Sequence, residues 1–140
     1  MQTAATMARW VVGVTGVTQV ALGLLFWTHR ALTLVPVHMA VGLLFVLAVW
    51  TLAGLAARAG VRLALVLLTV AWGILVLALG ITQGRLLAGS AHWVVEVLHL
   101  LVGFAAMALA ARLTAQIRRQ RRDRAEPEAS PGPAEQPAAG

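Results

Sequence analysis

Three side chains able to do acid–base or ligand chemistry fall at one helical spacing: His92, Glu96 and His99, at i, i+4 and i+7. On a helix that spacing puts all three on one face, with Gly103 one turn further along the stripe. They lie in a long apolar run, and Glu96 is the only acidic residue before Asp123. Polar groups are costly in a membrane segment, so an ionisable residue there marks a candidate functional site. Earlier in the chain His38 is followed by Gly42, as His99 is followed by Gly103. Two neutral imidazoles from facing helices can ligate one iron axially, and a glycine one turn below each leaves room for a porphyrin plane. The expected cofactor is a non-covalent haem b, with His38 and His99 as ligands to the haem iron. Glu96 is then the nearby acid that orients an imidazole, accepts a proton or pairs with a bound quinone, and Gly42 and Gly103 complete the site.

Other chemistry competes for the same residues. His92, Glu96 and His99 could hold Zn²⁺ or Cu²⁺, because imidazole suits both ions, although a fourth ligand must come from elsewhere. Glu96-x-x-His99 has the form found in di-iron bundles, but those require several more carboxylates than this chain carries in its apolar part. A plainer reading has no cofactor. His38 and His99 then hydrogen-bond across helices to Gln83, Gln19 or Thr18, and Glu96 is protonated and hydrogen-bonded. The protein would be a multi-pass scaffold, an accessory subunit or a transporter-like bundle. His29 and His92 suit the interface, where polar residues are normal, and Trp50 and Trp72 fall mid-span as packing residues.

The elements that must position these residues follow from composition. The chain has 140 residues, 60% hydrophobic and 11% charged, where a soluble domain has about a quarter charged residues. It has no cysteine, which removes disulfides, thiolate metal sites, Fe–S clusters and c-type haem attachment together. No phosphate-binding loop, nucleic-acid motif or hydrolase signature occurs.

Four apolar segments are predicted, near Ala8–Trp27, Val35–Ala57, Val61–Ile81 and Ser90–Thr114. Each is close to the roughly 20 residues that cross a bilayer. The first is too long for a signal-peptide core and lacks a cleavage site after it, so it reads as a retained span. The fold class is therefore all-α: a membrane four-helix antiparallel bundle over residues 1–116. An arginine-rich stretch, through which the fourth helix can continue amphipathically from Arg118 to Arg124, and then a Pro/Glu/Ala-rich disordered tail from Ala125 make up 117–140.

All eleven basic residues other than histidine are arginine, and six of them lie between Arg112 and Arg124. Four spans bring Arg9, Arg58, Arg62 and this cluster to one side, against Arg30 and Arg85 on the other. The positive-inside rule then expects both termini in the cytoplasm and the protein in the inner (plasma) membrane. The cluster is either a topology anchor or a binding site for anionic lipid or a partner.

The spans also read as two helix-hairpin repeats. Val37-His38-Met-Ala-Val-Gly42 aligns with Leu98-His99-Leu-Leu-Val-Gly103, and each first helix carries Leu-Gly and a glutamine, Leu22-Gly23 with Gln19 and Leu79-Gly80 with Gln83. An axis along the membrane normal would relate the hairpins and bring the two histidines to equivalent interior positions. Gln19-Val-Ala-Leu-Gly23, Val37-His-Met-Ala and Glu96-Val-Leu-His99 together resemble the motifs of one four-helix half of the haem A synthase family, over residues 8–114. That resemblance implies a haem held by histidines of the second and fourth helices. In the family Glu-x-x-His belongs to the second helix, whereas here it lies on the fourth, and one half alone is present. Haem binding, for electron transfer or for haem and quinone handling with a quinone or membrane redox partner, is what it implies, more than haem hydroxylation. Self-association of two chains around a shared site is left open.

One geometric conflict remains at this level. A second helix that starts at Val35 holds His38 one turn deep, while His99 lies nine residues past Ser90, roughly 13 Å along its helix. A shared iron requires either an earlier start to the second helix, near Ala31, or a fourth helix that projects beyond the bilayer.

Overall fold

A computed structural model describes residues 2–28, 31–87 and 89–129. His29, Arg30 and the tail from residue 130 onward, to which the sequence assigns an interface histidine, an outer charge and disorder, lie outside the described residues. The element order is α1 (Gln2–Trp27), η1 (Leu32–Leu34), α2 (Val35–Arg58), α3 (Leu63–Thr82), η2 (Gln83–Arg85) and α4 (His92–Ala129). Each of the four α-helices is long and apolar enough to cross a membrane, so the chain is a multi-pass, all-α membrane protein. A helix satisfies every backbone group within its own segment in lipid, which is why apolar runs of this length adopt it.

The helices pack as an antiparallel four-helix bundle in which α2 and α4 form the close diagonal and each touches both other helices. The turn between α2 and α3 is the tightest. Gly60 sits at φ +83, where a side chain would be strained, and lets Val61 N–H donate to Ala56 O at 3.0 Å, the six-to-one bond of a Schellman helix end. Pro36 falls in the first turn of α2, where its fixed φ suits the start of a helix.

Packing is uneven along the bundle. Its solid half lies toward the α2–α3 turn. There Ala53, Ala56, Val66, Leu113 and Ile117 form one buried cluster, and Val12, Phe45, Val49, Leu52, Ala106 and Ala110 form the next. Among the described residues, no position of α2 before Phe45 and none of α3 after Gly73 is buried. That other half encloses a cavity.

Two tryptophans tie helices together at mid-depth. Trp50 Nε1 donates to Val70 O at 3.2 Å and Trp72 Nε1 donates to Val102 O at 2.9 Å. The carbonyls they reach are already helix acceptors using a second lone pair. In lipid, such bonds replace the hydrophobic driving force that soluble helices share.

At 38 residues α4 is roughly 57 Å long, far more than a bilayer core of about 30 Å. It carries the arginine cluster outward and ends inside the stretch that composition assigns to the tail. Arg124 Nη2 donates to Ala59 O at 3.3 Å, fastening the projecting turns to the α2–α3 turn.

Candidate functional site

The depth conflict between the two histidines resolves through both helix starts. The 3₁₀ turn Leu32–Leu34 leads directly into α2, so continuous helical structure begins at Leu32, and α4 begins at His92 rather than Ser90. His38 is then six residues into its run and His99 seven into its own, which is a similar depth of about 10 Å. Their rings face each other across the α2–α4 diagonal with centroids 6.4 Å apart and planes inclined by 53°. Phe26 of α1 packs its ring edge-on against His38 at 5.3 Å.

The histidines border a cavity of about 260 Å³. Its walls come from all four helices, including Gln19 and Gly23 of α1, Val76 of α3, and Glu96, Leu100 and Gly103 of α4. The glycines shape it differently. A Cβ on Gly23 or Gly103 would meet nothing within 4 Å, so bare backbone faces open space there. Gly42 is covered instead: a Cβ there would stand 2.7 Å from Gln19 Nε2. The Gln19 amide lies over that glycine and reaches His38 Nε2 at 3.4 Å. The histidine–glycine repeat thus gives open space at one copy and a glutamine shelf at the other.

Three buried polar atoms in this region have no hydrogen-bond partner: Gln19 Oε1, His38 Nδ1 and His99 Nδ1. An unpaired buried donor or acceptor costs about 1–3 kcal/mol, so a group of three around one cavity calls for an occupant or for water. Gln83 lines the same cavity from α3, while Thr18 bonds its own helix at Val14 O, 2.9 Å away.

Glu96 does not turn toward His99. It pairs with His92, Oε1 to Nε2 at 4.0 Å, one turn back on the same helix face. His92 Nδ1 in turn lies 3.2 Å from Leu86 O in the α3–α4 connection. Both side chains of the pair are about a third exposed, 34% and 36%, which places them at the cavity mouth. The face predicted to carry three groups is divided into a mouth pair, His92 with Glu96, and an inner pair, His99 with His38. Among the described residues, no group of three or more His, Cys, Asp or Glu side chains comes together to hold a metal ion, so His92, Glu96 and His99 do not form a three-ligand Zn²⁺ or Cu²⁺ site.

Sequence reasoning missed the contributions of Phe26, Leu100 and Met107. They are ordinary apolar residues in apolar helices, and only the tertiary arrangement brings them to the cavity. Gln19 was legible as a polar group in a span, but its specific contact with His38 was one of several offered. No protein-family model, curated protein or solved structure matches the chain.

Proposed function

We propose that this chain is a small membrane cytochrome in which His38 of α2 and His99 of α4 would hold one b-type haem. One observation carries the reading: the facing imidazoles, 6.4 Å between ring centroids. Two imidazoles bound to one metal from opposite sides stand roughly 6 Å apart, from two bonds of about 2 Å plus the distance from each nitrogen to its ring centre. The donor set also suits the group, because neutral imidazoles without a thiolate are a b-type pair. Open backbone at Gly23 and Gly103 is the surface a flat ring needs. The cavity of about 260 Å³ is smaller than the roughly 300 Å³ at the lower end of ordinary ligand pockets, so a haem would extend out of it between the helices.

When bound, haem supplies one-electron transfer. The chain supplies the rest. Apolar walls keep water from the ligands, and the two helices fix the spacing of the imidazoles. The His92–Glu96 pair at the mouth can take up a proton. That pair suits a quinol, which releases a proton as it gives up an electron, and a quinone or membrane redox protein is the partner expected.

A second reading, a cofactor-free scaffold or accessory subunit, draws on the Gln19–His38 contact of 3.4 Å. There the imidazoles are interhelical hydrogen-bonding groups. Two measurements separate the readings. The first is an absorbance spectrum of detergent-purified protein before and after dithionite. A Soret band with sharp reduced bands, lost in both His38→Ala and His99→Ala, is expected; a colourless protein that takes up no added haemin removes the haem reading. The second fills the cavity with Gly103→Leu or Gly23→Leu. Each side chain starts in open space, so the fold should survive while haem uptake falls at least tenfold. In a scaffold the same changes are neutral or raise the melting temperature, because they fill a void.

A further inference from the structure

At the other end of the α1–α4 seam lies a second hollow, built unlike the first. Along α4 one stripe runs Met107, Ala111, Thr114, Arg118, Arg122, at steps of four, three, four and four residues. It passes from apolar to cationic within four turns of helix. Opposite it, α1 contributes Arg9 at the charged end and Val12 and Gly13 at the apolar end. The groove between them has a volume of about 490 Å³. A neighbouring hollow of about 400 Å³ continues it outward and shares Arg9, Thr114, Arg118 and Arg122. Arginines from two helices thus line one rim, with the Arg9 guanidinium 5.6 Å from the centre of the Trp10 ring. Among the described residues, no ion pair involves any of these three arginines.

We propose that this groove is a binding site for an anionic phospholipid, with its phosphate among Arg9, Arg118 and Arg122 and an acyl chain along Val12, Gly13 and Met107. Two features select this occupant. Planar guanidinium forks suit phosphate oxygens bidentately, and a basic pocket between spans attracts anionic headgroups. The groove also continues downward into apolar wall, which a soluble anion has no use for and a hydrocarbon chain fills. A Cβ on Gly13 would meet nothing within 4 Å, so the floor is open backbone. The site does not rest on the haem reading, since Met107 separates it from the histidine cavity and is the one residue lining both.

The test uses the full chain in detergent, with native mass spectrometry counting bound dioleoyl phosphatidylglycerol against dioleoyl phosphatidylcholine. The anionic lipid is expected to bind at least tenfold tighter. Arg9→Gln/Arg118→Gln/Arg122→Gln should abolish that preference, while Arg58→Gln/Arg62→Gln, which removes two arginines outside the groove, should retain it. Equal losses in both variants would mean diffuse charge attraction and would overturn the site. Gly13→Leu leaves every charge in place and fills the floor. It should weaken phosphatidylglycerol several-fold while leaving competition by inorganic phosphate unchanged. If Gly13→Leu binds the lipid as tightly as the parent protein, the acyl chain does not occupy the groove and the lipid assignment fails. That arm holds even if the triple variant misfolds.

Discussion

Gly73 shows how a single hydrogen atom can set the distance between two helices. It is buried on α3, and a Cβ there would run into the indole nitrogen of Trp50. The same nitrogen donates to Val70 O, one turn away. Gly73→Ala therefore forces the indole off its acceptor as well as overpacking the α2–α3 contact, and should destabilise the protein by about 2 kcal/mol. Gly54 is the control: it is exposed on α2 and a Cβ there meets nothing within 4 Å. Gly54→Ala should be neutral or stabilising by up to about 1 kcal/mol, the helix-propensity gain alone. Thermal unfolding in one detergent measures both, and equal shifts would refute the assignment of Gly73 to the Trp50 contact. Gly42 poses a milder version of the problem, because the group above it is the end of a flexible glutamine. Gly42→Ala should push the Gln19 amide away from His38 at little cost in stability. If the histidine pair binds haem, that variant should still do so, since Gln19 would have to leave His38 Nε2 for that nitrogen to serve as the ligand.

The four helices were legible from apolar length, because a bilayer admits few alternatives for such runs. The expected second and third spans differ from α2 and α3 by no more than two residues at either end, within ordinary variation in assigning helix ends. The fourth runs past even its expected amphipathic continuation, which reaches only Arg124. The apolar signal stops near Thr114, but arginine, glutamine and alanine are good helix formers, and α4 continues to Ala129. Hydropathy registers where lipid ends, and helix propensity does not. Depth was harder to read than extent. A 3₁₀ turn before Val35 and an α4 start at His92 level the two histidines, and neither has a side-chain signature strong enough to announce it. The partner of Glu96 was also invisible. His92 and His99 lie four residues before it and three after it, both within reach on a helix, and sequence spacing does not choose between them. Trp72 was legible as packing but not as a clamp. Its bond to Val102 O at 2.9 Å links α3 to α4. Trp72→Phe should cost about 1 kcal/mol more than the area it removes, whereas Trp93→Phe, at a position 56% exposed, should cost almost nothing.

The whole molecule has a polarity that its two hollows share. One end holds the histidines, the cavity and the His92–Glu96 pair; the other holds the solid core, the α2–α3 turn and the arginines of α1 and α4. The contact of Arg124 with Ala59 O fixes the projecting part of α4 to that second end. Arginine is expensive to move across a membrane, so an end carrying Arg9, Arg58, Arg62 and the cluster from Arg118 should remain where the chain is made. The histidine cavity would then open near the outer leaflet and the lipid groove near the inner one. The absence of cysteine from the chain makes this orientation directly measurable. Single cysteines at Thr3, Ser90 and Ala125, all exposed, can be treated in intact cells with a membrane-impermeant maleimide. Ser90→Cys should react at once, while Thr3→Cys and Ala125→Cys should react only after the membrane is permeabilised. The reverse pattern would place the arginine end outside. It would also remove the lipid groove from the leaflet whose negative surface potential favours it, and it would turn the cavity mouth toward the cytoplasm.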